Sequence, residues 1–405
     1  MKDQRNLANG IFILIVVVFF YTGNAFAHGI VKPTNDVFYL YDDERSVLET
    51  GSFSEKPMLS AYTAVVMDAQ TGQVLYAKNP HQPRPIASTT KIMTALVAME
   101  IGNLQQVTSV SPQAAGVEGS SVYLRAGEKL SLEQLLYGAL LHSGNDACVA
   151  IAEQIAVRED IFVNLMNLKA QRLGAKNTNF CNSNGLPNDK HYSSAYDLAL
   201  ITREALKNPV FSKIVATKNH TIPGSGGARS LNNTNKMLWS YQGANGVKTG
   251  TTNAAGKCLV AAAQRDGRQL IAVVLHSDDR WNESIKLLDY SFSRYENRLL
   301  AKEGEPFASI GVTEGVISKV PVTVNRDVVV TVPVDHSAKL EQVVELSKEL
   351  NAPLQTGQVV GKLQVLVDGQ AVTGASLVTM QGCKQKPYHQ LMWQRAGDKI
   401  KNYLP

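Results

Sequence analysis

Pro85-Ile86-Ala87-Ser88-Thr89-Thr90-Lys91-Ile92-Met93-Thr94-Ala95-Leu96-Val97-Ala98-Met99-Glu100 is the stretch from which the rest of this sequence is read. From Ser88 to Glu100, apolar residues fall on nearly every side of a helical projection, the pattern of a helix buried in the centre of a domain. Ser88 stands at its start, where free backbone N–H groups and the helix dipole favour developing negative charge. Lys91 follows one turn later on the same face, so its amine can reach the Ser88 hydroxyl. The two can act as nucleophile and base. An unperturbed lysine with a pKa of about 10.4 is neutral in under ~0.1% of molecules at pH 7, so the role demands burial beside another cation. The plainer alternative makes Ser88 an N-cap and Lys91 a solvated first-turn charge; a lysine inside an otherwise apolar helix argues against it.

Outward from this helix, Ala64-Val65-Val66-Met67 and Val74-Leu75-Tyr76-Ala77 flank a Gly-bearing turn, Asp68 to Gly72, and predict a strand pair. Ser131 with Gln134, and Ser194 with Asp197, carry capping-box signatures before apolar helical runs. Strands return at Lys257 to Ala263 and Leu270 to Leu275, around the hairpin signal Arg265-Asp266-Gly267-Arg268. Asn282 to Arg294 then reads as a helix with Ile285, Leu287, Leu288 and Phe292 on one face. Strands at both ends with helices between predict a sheet closed by the N- and C-terminal segments of one domain.

Two more short motifs follow in order. Ser143-Gly144-Asn145 interrupts a helical pattern and predicts a tight inter-helix turn whose polar atoms can face a cleft; alone it is also an ordinary capped turn. Lys248-Thr249-Gly250 precedes the hairpin and predicts an exposed strand edge against which an extended peptide could lie, with a solubility lysine as the bland alternative. Lys248 is the candidate second cation beside Lys91. A bare Ser-x-x-Lys is expected about once or twice by chance in a chain of this size, so order and context carry the signal.

The ends differ in kind. Lys2 and Arg5 precede the apolar run Ile11 to Phe20, and Gly23-Asn24-Ala25-Phe26-Ala27 supplies small residues, so residues 1–27 read as a signal peptide with the mature chain starting near His28; an uncleaved anchor is the alternative. Residues 28–60 are a lead-in segment, 61–300 a catalytic domain and 301–385 a β-rich domain with Val328-Val329-Val330-Thr331-Val332 and a second hairpin signal at Asp368-Gly369. Residues 386–405 read as an amphipathic helix for a membrane surface, or as a short helix packed on the β domain. A net charge of +5 in 405 residues, without basic runs, excludes nucleic acid as a partner. The four cysteines, Cys148, Cys181, Cys258 and Cys383, lack metal-knuckle spacing, and no metal or cofactor is expected.

With Asn184-Gly185-Leu186-Pro187, His191-Tyr192-Ser193 and Lys248-Thr249-Gly250-Thr251-Thr252 added to the quoted stretch and to Ser143-Gly144-Asn145-Asp146-Ala147, the chain resembles the serine penicillin-binding family, in its low-molecular-mass D-alanyl-D-alanine carboxypeptidase branch. The resemblance covers roughly residues 60 to 300. It implies an α/β catalytic domain of the β-lactamase/transpeptidase-like type, an antiparallel sheet flanked by helices plus a helical cluster, followed by a small all-β domain. It further implies that Ser88 attacks the carbonyl between two terminal D-alanines, that Lys91 takes the hydroxyl proton, and that Ser143 and Asn145 relay protons and hold the substrate backbone. Lys248 and Thr249 would face the terminal carboxylate. Gly250 would leave room for the substrate, and the N–H groups of Ser88 and Thr251 would form the oxyanion hole. The implied partners are peptidoglycan stem peptides and, as covalent inhibitors, β-lactams; the implied location is extracytoplasmic. Gly144 departs from the Asp of the family's S-D-N form, and no Glu-x-x-Leu-Asn segment follows Asn145, which argues against efficient β-lactam hydrolysis. An endopeptidase, a β-lactamase or a non-turning-over sensor on the same scaffold are the competing readings.

Overall fold

The computed structural model describes residues 13–15 and 56–401. Most of the signal-peptide reading and of the lead-in therefore lies outside the described residues. The described residues divide into two compact units, one running up to Tyr295 and a second that begins at Glu296 and includes Ile13–Ile15.

The first unit is built on a five-stranded antiparallel sheet. Strands β1 (Thr63–Asp68) and β2 (Val74–Lys78) come from its beginning, and β3 (Ala244–Thr252), β4 (Gly256–Arg265) and β5 (Arg268–Ser277) from its end, in the order β2-β1-β5-β4-β3. The sheet is thus closed by the two ends of the segment, as its sequence predicts. Two turn chemistries fix the register. Asp68 Oδ1 accepts from the N–H groups of Gln70 and Thr71, both at 2.9 Å, and turns the chain from β1 into β2. Asp266 and Gly267 take φ of +49° and +79°, the paired left-handed conformation that a two-residue hairpin needs to match strand twist.

The strands read as continuous apolar runs because both faces of the sheet are covered. Val65, Met67, Val260, Ala262, Ile271 and Val273 belong to one core, and Ala64, Val66, Leu259, Ala261, Ala272 and Val274 to the other. The first core includes the helices α1 (Lys91–Ile101), α2 (Leu132–Leu141), α3 (Asn145–Ala156), α4 (Glu159–Leu173), α5 (Ala195–Leu206) and α6 (Pro209–Ala216); α7 (Arg280–Arg294) covers the other face. Helix α1 contacts α2, α3, α4 and α5, which explains its apolar circumference. The Ser131–Gln134 capping box is reciprocal, with Gln134 N–H donating to Ser131 Oγ at 3.3 Å and Ser131 N–H to Gln134 Oε1 at 2.9 Å. At Ser194 only half of the box forms. Asp197 N–H donates to Ser194 Oγ at 3.1 Å, but the Asp197 carboxylate turns away to accept from Asn177 N–H at 2.6 Å and Thr178 Oγ1 at 2.8 Å.

The second unit is β-rich around its own core of Val320, Val322, Val330, Val344, Leu363 and Leu377. Its larger sheet includes Ala308–Thr313, Lys319–Val324, Leu340–Ser347, Val359–Val367 and Gln370–Thr379, with Ile13–Ile15 laid antiparallel on Leu340–Ser347. Asp368 and Gly369, at φ of +51° and +77°, form the second hairpin turn. A helix follows over Tyr388–Lys401, with Tyr388 and Trp393 exposed. No helix among the described residues is long and apolar enough to cross a membrane. All four cysteines are free thiols.

Candidate active site

The nucleophile candidate enters on a short 3-10 turn, Ala87–Thr90, that runs into α1. Ala87 holds φ at +47°, a conformation costly for a residue with a side chain and found where neighbouring structure over-determines it. Here the restraint is visible. Cys181 N–H donates to His191 Nδ1 at 3.1 Å, so Nε2 carries the proton and faces Thr90 Oγ1 at 2.8 Å, and Thr90 Oγ1 donates to Ala87 O at 2.8 Å. Burial, assisted by the charge of Lys91, lowers the His191 pKa to about 4, so this relay carries a neutral imidazole at ordinary pH. Ser88 itself is half-buried.

Lys91 is fully buried, and its Nζ lies 2.9 Å from Ser88 Oγ, 2.7 Å from Asn145 Oδ1 and 2.6 Å from the carbonyl oxygen of Asn184. Burial lowers its pKa from 10.5 to about 8, against a raising effect from Cys148 and Asp146. Lys248 is as deeply buried, with Nζ donating to Thr249 O at 3.1 Å. Burial first, and the charge of Lys91 second, hold its pKa well below the usual lysine range. Desolvation is therefore the chief reason the two amines titrate low, and at Lys248 the charge of Lys91 adds to it. The sequence makes Lys248 a residue of an exposed edge; among the described residues β3 pairs only with β4 and leaves that edge free, but the lysine side chain is buried.

The second motif is the turn between α2 and α3. Ser143 sits at its tip with φ of +65°, buried, and makes no hydrogen bond to Ser88 or Lys91 among the described residues. A Cβ on Gly144 would lie 2.6 Å from Asp146 Oδ1 and 3.1 Å from Val122, which explains glycine where a side chain stands in other forms of the motif. Asn145 is anchored by Nδ2 donating to Glu118 O at 2.7 Å. Along β3, Thr249 Oγ1 meets Thr234 Oγ1 at 2.7 Å, and Gly250 passes close over the nucleophile turn: a Cβ there would stand 2.9 Å from Ile86 O and 3.0 Å from Ser88 N. Thr251 is exposed at the end of this edge.

The chain matches two families over its length. Residues 51–279 match the D-alanyl-D-alanine carboxypeptidase family, and residues 295–385 the family described as penicillin-binding protein 5, C-terminal domain. D-alanyl-D-alanine carboxypeptidase DacF of Bacillus subtilis is 34% identical over 351 residues, 84% of this chain and 90% of that protein. The chain belongs to the D-alanyl-D-alanine carboxypeptidase family. Its relatives include DacA of Escherichia coli, 37% identical over 80% of this chain and 84% of that protein. The crystal structure of penicillin binding protein 5 from Haemophilus influenzae superposes with a TM-score of 0.72 at 32% identity, covering 82% of this chain and all of that one. The fold is accordingly the expected α/β catalytic domain followed by an all-β domain.

Three further residues of this carboxypeptidase stand in the same cluster without having been read from the sequence. The Asn184 carbonyl, in a segment quoted only for its resemblance, is a main-chain acceptor and so has no side-chain signature. Asp146 accepts from Ser121 Oγ at 2.6 Å, Val122 N–H at 3.1 Å and Leu124 N–H at 3.0 Å, tying residues 121–124 to the second motif. Arg280, the first residue of α7, sends Nη1 to Gly250 O at 3.0 Å, Thr251 Oγ1 at 2.9 Å and Cys258 O at 3.2 Å. An arginine at a helix N-terminus opposes the dipole, and that misfit is the one signal that could have marked it.

Proposed function

We propose that this serine-type D-alanyl-D-alanine carboxypeptidase acts through Ser88 on peptidoglycan stem peptides, removing the terminal D-alanine by way of a covalent acyl-enzyme. The observation that carries the assignment is the set of three acceptors around Lys91 Nζ. A neutral amine has two N–H donors and one lone pair; with the donors taken by Asn145 Oδ1 and Asn184 O, the lone pair is left to face Ser88 Oγ. Ser88 Oγ then attacks the carbonyl carbon between the two D-alanines as its proton passes to Lys91 Nζ. The Ser88 and Thr251 N–H groups receive the oxyanion. Collapse breaks the C–N bond, and free D-alanine departs with a proton relayed through Lys91 and Ser143. Water attacks the resulting ester and restores Ser88.

Lys248 and Thr249 take the terminal carboxylate, with Arg280 bracing Gly250 and Thr251 and adding positive charge. Because β3 is a free edge, the substrate backbone can lie along it as an added strand. A β-lactam presents a strained amide in the same place and acylates the same serine. In this reading residues 1–27 direct export, 61–300 carry the chemistry, 301–385 position it, and 386–405 contact a membrane surface. The test is to label the protein with fluorescent penicillin, digest it and sequence the adduct by mass. Label on the peptide containing Ser88, lost in Lys91→Ala, supports the assignment; label on another serine overturns it.

A further inference from the structure

A cavity of about 300 Å³ opens beside the nucleophile turn, between the segments 83–87, 185–192 and 252–254. Its direction from the reacting centre follows from the proposed function, on which this inference rests. If Lys248 and Thr249 hold the terminal carboxylate and the Thr251 N–H the scissile carbonyl, the substrate runs antiparallel to β3. Each residue further from its C-terminus then lies about 3.3 Å further along, towards Thr252 and beyond. On that course the residue preceding D-Ala-D-Ala would bring its side chain to the cavity, whose lining includes Thr252 and Ala254.

Its walls carry opposite charges. Arg84 is fixed by its main chain, which exchanges both hydrogen bonds with Ser193 at 2.8 and 3.0 Å, and by its guanidinium, which stacks 4.4 Å over the Tyr62 ring. Its Nη2 lies 3.0 Å from His276 Nδ1, while its Nε is buried with no hydrogen-bond partner among the described residues. Asp189, also in the lining, is exposed at the tip of a turn held by His191 N–H to Asn188 O and Lys190 N–H to Asn188 Oδ1, both 2.9 Å. Asp189 makes no ion pair among the described residues. Between them the lining is largely apolar, with Leu186, Pro187 and Tyr192.

We propose that this cavity is a specificity subsite for a side chain with an aliphatic stem and a zwitterionic end, its carboxylate on Arg84 and its ammonium on Asp189. A diamino-dicarboxylic acid at the third position of the stem peptide satisfies both groups. Lysine, with the same reach and no carboxylate, leaves Arg84 unanswered, and a charge-assisted hydrogen bond of that kind is worth about tenfold or more in kcat/KM.

The experiment compares two pentapeptides that end in D-Ala-D-Ala and differ only at the third residue, meso-diaminopimelate against L-lysine, by D-alanine release with the full chain. The expected kcat/KM ratio is about tenfold or more in favour of diaminopimelate. Arg84→Gln should bring the ratio towards one. Asp189→Asn, on an exposed turn where folding is not at stake, should lower kcat/KM for both peptides and spare neither. Equal rates for the two peptides in wild type, or an Arg84→Gln variant that lowers both rates and keeps the ratio, would overturn the subsite while leaving the Ser88 chemistry standing. No D-alanine from either peptide and no penicillin adduct would sink the catalytic reading and the subsite with it.

Discussion

Three acceptors converge on the Lys91 amine, and the consequence is kinetic. With its pKa lowered to about 8 by burial, roughly a tenth of Lys91 is neutral at pH 7, against under ~0.1% for an unburied lysine. The neutral form is the base, so the acylation rate should rise with pH through about 8 and level off above it. Stopped-flow penicillin acylation across pH 6 to 10 measures this. A rate that falls over the same interval would mean that the protonated amine is the working form. His191 does not complicate the profile, since burial keeps its pKa near 4. At this scale the sequence is informative about Ser88 and Lys91, because residues three apart on a helix must share a face. It is silent on Asn184, whose contribution is a carbonyl 93 residues away from Lys91.

Among the elements, α3 and the segment before α2 are joined by one carboxylate. Asp146 is fully buried and receives the N–H groups of Val122 and Leu124 and the Ser121 hydroxyl. Asp146→Ala leaves these donors without an acceptor inside the protein, at about 1–3 kcal/mol for each that water cannot reach. Urea unfolding should show a loss of about 2–4 kcal/mol. Penicillin acylation of the folded variant should also slow, because Asn145 hangs on the same turn and bonds to Glu118 O. Unchanged stability would show that water replaces the carboxylate. The hairpins at Asp266-Gly267 and Asp368-Gly369 are legible in the sequence because their backbone chemistry is local. The Asp146 contacts span more than 20 residues and leave no periodic trace, and the failed half of the Ser194 box has the same origin, a carboxylate captured by Asn177 and Thr178.

Across the whole molecule, no core of buried residues is shared between the units: residues 301–383 make one, and the two cores of the first unit draw on buried residues between Ala61 and Leu275, with Leu287 and Leu288 of α7. Two units that share no core predict two calorimetric transitions. Covalent acylation by penicillin should move the transition that belongs to the Ser88-bearing unit and leave the other in place. A single transition that shifts as a whole would indicate one cooperative block. The alternation of strands and helices before residue 300, and of strands alone from there to about residue 385, makes the two-part fold readable from sequence pattern. The closing of the first sheet by both ends of its segment is readable too, since its strands lie at those ends. Which charges meet across the cleft depends on tertiary placement, as the burial of Lys248 and the arrival of Arg280 illustrate.

The most direct test of the account is the release of free D-alanine from a pentapeptide ending in D-Ala-D-Ala, measured on the full chain beside Ser88→Ala. The account predicts multiple-turnover release by the wild type and none above background by the variant. Release that survives in Ser88→Ala, or none from folded wild-type protein, would contradict it.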